Sequence, residues 1–264
     1  ITSIGLDHQQ YLGSTIEAIA FEKACIAKPG VPLIVGPVGA EARRIIEATA
    51  SGRGAKTVIA TDGVELERLG ERRLRLRTPS HDYGTLELGL AGDHQVDNAL
   101  VAVRVLEQLE GCGLHVAPSA VARGLKAVVW PGRLDFRRLP DGRELLLDAA
   151  HNEDGARALA TFLETATTAP LPIVFAAMRD KDASAMLRAL APHASVLVLT
   201  RASNPRSADP QDLFNLARAV RPALPLEIAA HPTEALELAW QHGPRIVVAG
   251  SIFLLGDVLR AIGS

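Results

Sequence analysis

The 264-residue chain has 28 Lys and Arg against 30 Asp and Glu, a formal net charge of −2, and 48% hydrophobic residues. This composition is typical of a globular protein, and the near balance of charge argues against nucleic acid as a main partner. We expect neither a membrane span nor a secretory signal, because no apolar run reaches the ~18 residues that a span needs. Cys25 and Cys112 are too few for a disulfide framework, so a cytoplasmic location is expected.

The chain opens on an apolar, strand-like run that ends at Asp7-His8. A helix is predicted next, because Ser14 and Glu17 have the spacing of a capping box and Pro29-Gly30 end the pattern. At ~100° per residue, five residues share one stripe of this helix: Ile16, Ile19, Ala20, Lys23 and Ala27. The pattern therefore places a lysine on an apolar face, close to the histidine that ends the strand.

Lys23 and His8 each have an ordinary interpretation. The lysine stem can pack while its ammonium reaches water, and a histidine at a strand end commonly satisfies only local hydrogen bonds. Alternatively, burial favours the neutral amine of Lys23, which is then available for covalent chemistry. The two residues together, at this spacing, favour a chemical role.

Strands and helices alternate through the first half of the chain. Strands are predicted at residues 33–36, 57–60, 74–77 and 85–90, and helices at 40–50, 94–109 and 118–127. The first two strands are of the parallel α/β kind, and the last two read as antiparallel edge strands. Trp130-Pro131-Gly132-Arg133 breaks the pattern and predicts a hinge. We therefore expect one domain over residues 1–133 and a second over residues 134–264.

The second half is more regular. Strands are predicted at residues 144–147, 173–176, 196–199, 226–229 and 246–249, and helices at 155–165, 183–190, 210–220 and 233–241. Strands rich in Val, Leu and Ile that alternate with helices indicate a parallel sheet covered on both faces, a Rossmann-like domain. No G-x-G-x-x-G follows Leu147, which argues against a dehydrogenase.

Two polar motifs stand at a helix start and at the predicted hinge. His94 and Asn98 lie in the first turns of a predicted helix, for which Asp93 is the expected cap. Arg133 follows Pro131-Gly132, and its planar guanidinium suits a pair of phosphoryl oxygens. The plain alternatives are a polar helix start and a turn with a solvated arginine.

A third motif, Asp148-Ala149-Ala150-His151-Asn152, lies at the carboxyl end of a strand. Open α/β sheets bind ligands at that edge. The plain alternative is that Asn152 caps the next helix and Asp148 is incidental.

The run S-I-G-L-D-H, continued by L-G-x-T-I-x-x-I-A-x-E-K-A-x-I-x-K, resembles the folylpolyglutamate synthase/dihydrofolate synthase family of the Mur-ligase superfamily. The later segments H-Q-x-x-N-A, P-G-R and D-x-A-H-N are also similar to motifs of that family. The resemblance covers essentially the whole chain. It implies an α/β fold in which the carboxyl-terminal part of a Mur-ligase-type ATPase domain precedes a Rossmann-like parallel-sheet domain.

The resemblance implies a magnesium site. In the family, the histidine that matches His8 is a ligand of Mg²⁺. The lysine that matches Lys23 is carbamylated by CO2, and the carbamate helps to hold the metal against ATP. Carbamylation requires an unprotonated amine, and it gives the lysine the oxygen donors that Mg²⁺ prefers. Cys25 stands where the family usually has glycine.

The resemblance also implies an ATP site. His94 and Asn98 would line the nucleotide pocket, with the Asn98 amide on the adenine. Asp148 would hold the ribose, Arg133 would reach the phosphates, and His151 would help to form the site between the domains. Domain closure about the hinge would bring the charge of Arg133 onto the nucleotide.

Three departures or weaker matches accompany these motifs. Ala149 stands where the family has glycine, so the backbone approaches a ligand less closely there. Lys181 lies in a segment similar to the family's D-K-D, and Arg206 in one similar to its P-R-A/S. Both are expected as nucleotide or glutamate contacts, with a solvated charged turn as the alternative.

The phosphate-binding loop G-x-x-x-x-G-K-[ST] is absent from the 264 residues. In the family that loop, a metal-binding glutamate and much of the pterin site precede the segment that matches Ile1. The chain therefore reads as a fragment, and we expect it to be inactive alone, because positioning of charge dominates catalysis of phosphoryl transfer.

The parent protein is expected to be an ATP-dependent ligase that acts as a monomer with Mg²⁺ and ATP. It would phosphorylate the carboxylate of dihydropteroate or a folate tail, and the amine of L-glutamate would attack the acyl phosphate. Two alternatives remain. One is another Mur-type amino-acid ligase, acting on peptidoglycan precursors, and the other is a noncatalytic nucleotide-binding fragment.

Overall fold

The computed structural model describes residues 1–6 and 12–263. It divides into two compact units, Ile1–Val129 and Trp130–Ser264, so the division falls shortly before the predicted boundary at Arg133. Helices α1–α4 of the first unit span Ile16–Ala24, Ala40–Gly52, Asp93–Glu110 and Pro118–Ala127. Strands β1–β5 span Leu33–Val35, Thr57–Ile59, Glu65–Arg68, Arg73–Arg77 and Asp82–Glu87.

The first unit contains a short parallel sheet and an antiparallel meander. Strands β1 and β2 pair in parallel, and the Ile1 carbonyl accepts a hydrogen bond from Gly36 N at 2.8 Å, so the opening segment runs beside β1. Helices α1 and α2 close over this sheet through a small apolar core that includes Val35 and Ile46. Strands β3, β4 and β5 form the meander, whose buried leucines pack with α3 and α4.

The second unit is built on one six-stranded sheet. Strands β6–β11 span Asp135–Arg138, Glu144–Leu147, Leu171–Phe175, Ala194–Leu199, Leu226–Ile228 and Arg245–Ala249. Helices α5–α9 span Glu153–Ala166, Ala183–Leu190, Pro210–Val220, Pro232–Gln241 and Ile252–Ala261. The strand order is β10-β9-β8-β11-β7-β6, with every pair parallel except β6 with β7.

Both faces of this sheet are covered, as the unbroken apolar runs in the sequence predict. On one face, alternate residues such as Leu145, Val174 and Val248 pack against α8 and α9. The residues between them, such as Leu146 and Phe175, are equally buried and point to the opposite face, where α5, α6 and α7 pack side by side. The Rossmann-like second half is therefore confirmed, and all five of its predicted strands are present.

Two strands were missed by the sequence analysis. β3 reads Glu-Leu-Glu-Arg and β6 reads Asp-Phe-Arg-Arg, and neither shows a buried apolar run. Both are edge strands that pair with an apolar neighbour, β3 with β4 and β6 with β7. Their partners supply the backbone hydrogen bonds, and this contribution is invisible in hydrophobic periodicity.

Candidate functional site

Helix α1 begins one residue later than the capping box predicts. Thr15 is the N-cap, since its backbone is extended and its Oγ1 accepts a hydrogen bond from Ala18 N at 3.2 Å. Ser14 is therefore not the cap, and the prediction is wrong at that position. Glu17 lies in the first turn, where a carboxylate is favoured by the helix dipole.

Lys23 lies half-buried on α1, and its Nζ donates a hydrogen bond to the Ser3 carbonyl at 3.4 Å. Ile19 and Ala20 are fully buried on the same helix. The amine therefore contacts the opening segment of the chain. His8, its predicted partner, lies outside the described residues, so a shared site of Lys23 and His8 stays a prediction.

The start of α3 differs from its prediction. Gly92, with φ of +95°, occupies the cap position without a side-chain bond, and glycine adopts this left-handed backbone readily. Asp93 is already helical and forms an ion pair with Arg68 at the end of β3. The prediction of Asp93 as a cap is therefore wrong.

His94 and Asn98 are joined by a residue that the sequence analysis did not single out. Gln95 is buried, with its Nε2 3.0 Å from His94 Nε2 and its Oε1 accepting a hydrogen bond from Asn98 Nδ2 at 3.2 Å. The three side chains form one polar chain on the first turns of α3. The sequence signal that could have identified Gln95 is its position three residues before Asn98, which puts both side chains on one face of the helix.

Asp97 lies in the same turn and is half-buried. Burial raises the pKa of its carboxyl group, an effect that the positive charge of Arg68 partly offsets. The first turn of α3 thus combines a buried amide, a histidine and a partly desolvated acid.

Residues 131–134 form a tight bend that we call the arginine turn. Gly132 has φ of +74°, and a Cβ there would lie 2.5 Å from Leu255 Cδ2. Leu134 has φ of +45°, although it carries a side chain that is only 5% exposed. Arg133 stands between them and is half-buried. Among residues 1–6 and 12–263, no hydrogen-bond or ion-pair partner is found for its guanidinium.

Asp148 is buried at the carboxyl end of β7 and binds this turn. Its Oδ2 accepts a hydrogen bond from Leu134 N at 2.9 Å, and its Oδ1 accepts one from Ala150 N at 2.9 Å. Ala149 N in addition donates to the Gly132 carbonyl at 2.7 Å. The structure thus brings Asp148 close to the turn that contains Arg133, although a predicted strand separates the two residues in the sequence.

His151 and Asn152 complete this edge of the sheet. His151 Nδ1 donates to the Ala149 carbonyl at 2.8 Å, and this bond fixes the orientation of the ring. Asn152 caps α5, since its Oδ1 accepts a hydrogen bond from Gly155 N at 2.8 Å. The helix-cap interpretation of Asn152 is therefore confirmed, and it coexists with a structured role for Asp148.

Lys181 and Arg206 follow β8 and β9 and lie at the same edge of the sheet. The Arg206 guanidinium is 3.9 Å from Asp180 Oδ1, which makes a loose exposed ion pair. Arg179, which the sequence analysis did not single out, holds the loop of Arg206, since it donates to the carbonyls of Pro205 at 2.8 Å and Ser207 at 3.1 Å. Two neighbouring loops are thereby joined.

Of the two predicted metal ligands, Lys23 lies within the described residues and His8 lies outside them. Within residues 1–6 and 12–263, no group of three His, Cys, Asp or Glu residues is placed to hold a metal ion. Lys23 as an ammonium cannot coordinate one, and only conversion to a carbamate would give it oxygen donors. The same part of the chain has no helix both long and apolar enough to cross a membrane.

Comparison with known proteins agrees with this geometry. Residues 132–252 match the Mur ligase, glutamate ligase domain family. The dihydrofolate synthase/folylpolyglutamate synthase of Bacillus subtilis is 28% identical over 99% of this chain and 62% of its own length. A solved structure of Mycobacterium tuberculosis folylpolyglutamate synthase with ADP and AMPPCP is 28% identical, with a TM-score of 0.88 over 99% of this chain and 63% of that one.

A bifunctional folylpolyglutamate synthase/dihydrofolate synthase solved with Mn, AMPPNP and L-glutamate is 25% identical. Its TM-score is 0.84, and the match covers 100% of this chain and 61% of that one.

The fold is that of Mur-ligase-type proteins, and the match to their glutamate ligase domain begins at residue 132, within the arginine turn. More particularly, the chain is similar over nearly its whole length to folylpolyglutamate synthases and dihydrofolate synthases. It spans 62% of the length of the Bacillus relative.

Proposed function

We propose that this chain is the larger part of an ATP-dependent ligase that adds L-glutamate to dihydropteroate, to folate polyglutamate tails, or to both. The observation that carries the proposal is the arginine turn held by Asp148. It places at the ligand-binding edge of the sheet a guanidinium for which the described residues supply no partner. Support comes from relatives solved with ADP, with ATP analogues and with L-glutamate.

In this proposal, the polar side chains of the sequence motifs bind the nucleotide. Asn98 contacts the adenine with His94 beside it, and Asp148 accepts a hydrogen bond from the ribose. Arg133 binds the phosphates, where a bidentate guanidinium neutralises charge that develops during transfer. His151, whose ring is oriented by the bond of Nδ1 to the Ala149 carbonyl, positions the incoming amine.

The reaction proceeds through two covalent steps. The substrate carboxylate attacks the γ-phosphorus of ATP, which releases ADP and forms an acyl phosphate. The glutamate amine then attacks the acyl carbon, loses a proton, and expels phosphate from the tetrahedral intermediate to leave an amide. Mg²⁺, bound together with ATP, would neutralise phosphate charge. His8 and carbamylated Lys23 are proposed to hold it.

We further propose that the protein acts as a monomer in the cytoplasm and that Lys181 and Arg206 contact glutamate or nucleotide. The free state of Cys25 and Cys112 is compatible with a reducing compartment.

The test uses the complete protein that carries this chain. Release of ADP is measured with glutamate and a panel of acceptors: dihydropteroate, folate polyglutamates and peptidoglycan precursors. Dependence on a folate acceptor is expected, and turnover only with a peptidoglycan precursor would instead favour another Mur-type ligase. The 264 residues alone are expected to release no ADP, since they contain no phosphate-binding loop.

The role of Lys23 is tested with two substitutions. Lys23→Ala removes the amine. Lys23→Arg keeps the positive charge, but CO2 cannot carbamylate the arginine side chain. Both are expected to lower kcat by about 100-fold or more, the usual effect of losing a group that stabilises the transition state. Lys126→Ala, which removes an exposed ion pair with Glu87, is the control and should change kcat little. Full activity of Lys23→Arg would rule out a carbamate.

A further inference from the structure

Leu134 has a backbone conformation that is rare for a residue with a side chain. Its φ is +45°, and in the described ranges 1–6 and 12–263 it is the one non-glycine residue with positive φ. Because Cβ crowds the backbone in this region, such a conformation persists only where the surroundings enforce it. Leu134 directly follows Arg133, so whatever enforces it also sets the direction of Arg133.

Two hydrogen bonds from one segment enforce the turn. Asp148 Oδ2 accepts from Leu134 N at 2.9 Å on one side of Arg133. On the other side, the Gly132 carbonyl accepts from Ala149 N at 2.7 Å. The turn is thus pinned before and after Arg133 by the chain that leaves β7, whereas the Arg133 side chain has no partner of its own in the described part of the protein.

The carboxylate of Asp148 suits this task in a way that an amide does not. It is 5% exposed, and each of its two oxygens faces one backbone N–H, Leu134 N and Ala150 N. An ionised carboxylate is an acceptor at both oxygens, whereas an asparagine offers one oxygen and one NH2 group. An asparagine here would turn a donor toward another donor.

We propose that Asp148 is a positioning residue for Arg133, in addition to any contact with nucleotide. Its carboxylate holds Leu134 in the strained conformation, and the strained turn aims the guanidinium of Arg133. The inference rests on the proposed function in that Arg133 must bind phosphate for the positioning to affect catalysis. The holding of the turn itself does not depend on that role.

The first experiment needs no activity. Amide hydrogen exchange measured by NMR on the 264-residue chain should show Leu134 N–H protected in the native protein. Asp148→Asn should abolish that protection while the amides of β8 and β9 keep theirs. Asp141→Asn is the matched control, because Asp141 accepts a backbone N–H in an exposed turn of the same unit. A Leu134 amide that exchanges freely in the native chain would overturn the proposal.

The second experiment is a double-mutant cycle in the complete enzyme. Asp148→Asn is expected to lower kcat/KM for ATP by about 10- to 100-fold, as misplacement of a binding group does. In a chain that already has Arg133→Ala, the same change should cost several-fold less than in the native enzyme, because only the contact of Asp148 with the ribose is then left to lose. If the two losses multiply, Asp148 acts independently of Arg133 and the proposal fails.

The two experiments separate this proposal from the proposed function. If the native enzyme has no folate-dependent turnover but Leu134 loses its protection in Asp148→Asn, the ligase assignment fails and the positioning of the turn stands. A general structural role would lower the unfolding temperature of Asp148→Asn equally with and without Arg133 and would leave the cycle without coupling.

Discussion

Replacement of Gly250 by alanine should strongly destabilise the second unit. Gly250 follows β11 with φ of +104°, and a Cβ at this position would lie 2.2 Å from the Ala176 carbonyl oxygen and 2.7 Å from the Phe175 ring. The nearest obstacle is backbone in the adjacent strand, so relief requires movement of β8 against β11. Both contacts belong to the central, fully buried part of the sheet.

The magnitude follows from two contributions. An L-residue with a left-handed backbone costs about 1–2 kcal/mol, and overpacking of a close-packed core costs about 1–3 kcal/mol. Gly250→Ala should therefore lose about 2–5 kcal/mol of unfolding free energy, a large share of the total for a domain. Gly142→Ala separates the contributions, because Gly142 has φ of +88° and open space around its Cβ position. It should lose only about 1–2 kcal/mol.

Tryptophan fluorescence during urea unfolding measures the difference. The chain has two tryptophans, Trp130 and Trp240, and both lie in the second unit, so the signal reports on that unit alone. The unfolding midpoint of Gly250→Ala should lie well below that of Gly142→Ala at an unchanged slope. Equal midpoints would refute the steric argument, since both variants share the backbone strain.

Three further predictions concern the first unit and α5. Glu107→Leu leaves Arg104 buried without its ion-pair partner, so it should cost about 3–5 kcal/mol in thermal unfolding followed by circular dichroism. Adding Arg104→Met should recover the part of the loss due to the unpaired guanidinium but not the part due to Thr78 and Tyr83, which also donate to Glu107; no recovery would contradict the argument. Burial raises the pKa of Asp97 above 3.8, so the folded state binds the proton more tightly than the unfolded state does. Asp97→Asn should therefore raise the free energy of unfolding at neutral pH, and this gain should vanish as the pH falls below 3.8. A gain that does not change with pH would contradict the prediction. Asn152→Ala removes the cap bond to Gly155 N and should cost about 1 kcal/mol by urea unfolding; a loss near zero would mean that the cap contributes nothing.

Elements with a complete local signal were predictable. The buried parallel strands of the second unit are rich in Val, Leu and Ile, and burial on both faces of a parallel sheet imposes that composition on each of them separately. The element pattern also placed His94 and Asn98 at a helix start and Asp148 at a strand end, while the roles of these residues stay predictions.

Elements whose stability comes from a partner were not predictable. Edge strands β3 and β6 exist because β4 and β7 offer them backbone groups to pair with. Gly92 and not Asp93 occupies the cap position of α3, and the Asp93 carboxylate pairs with Arg68 of β3. Such competition between partners is decided by distances that the sequence does not contain.

The sequence by itself therefore determined the α/β class, the Rossmann-like second half and the family resemblance, and it supplied the candidate site residues. These properties follow from the hydrophobic periodicity of the chain and from motifs of residues that are close together in the sequence. Only the tertiary structure decided that Asp148 accepts the amide of Leu134 and that Gln95 bridges His94 to Asn98. The physical reason is that a hydrogen bond depends on the position of both partners, and folding brings together atoms that the chain keeps apart.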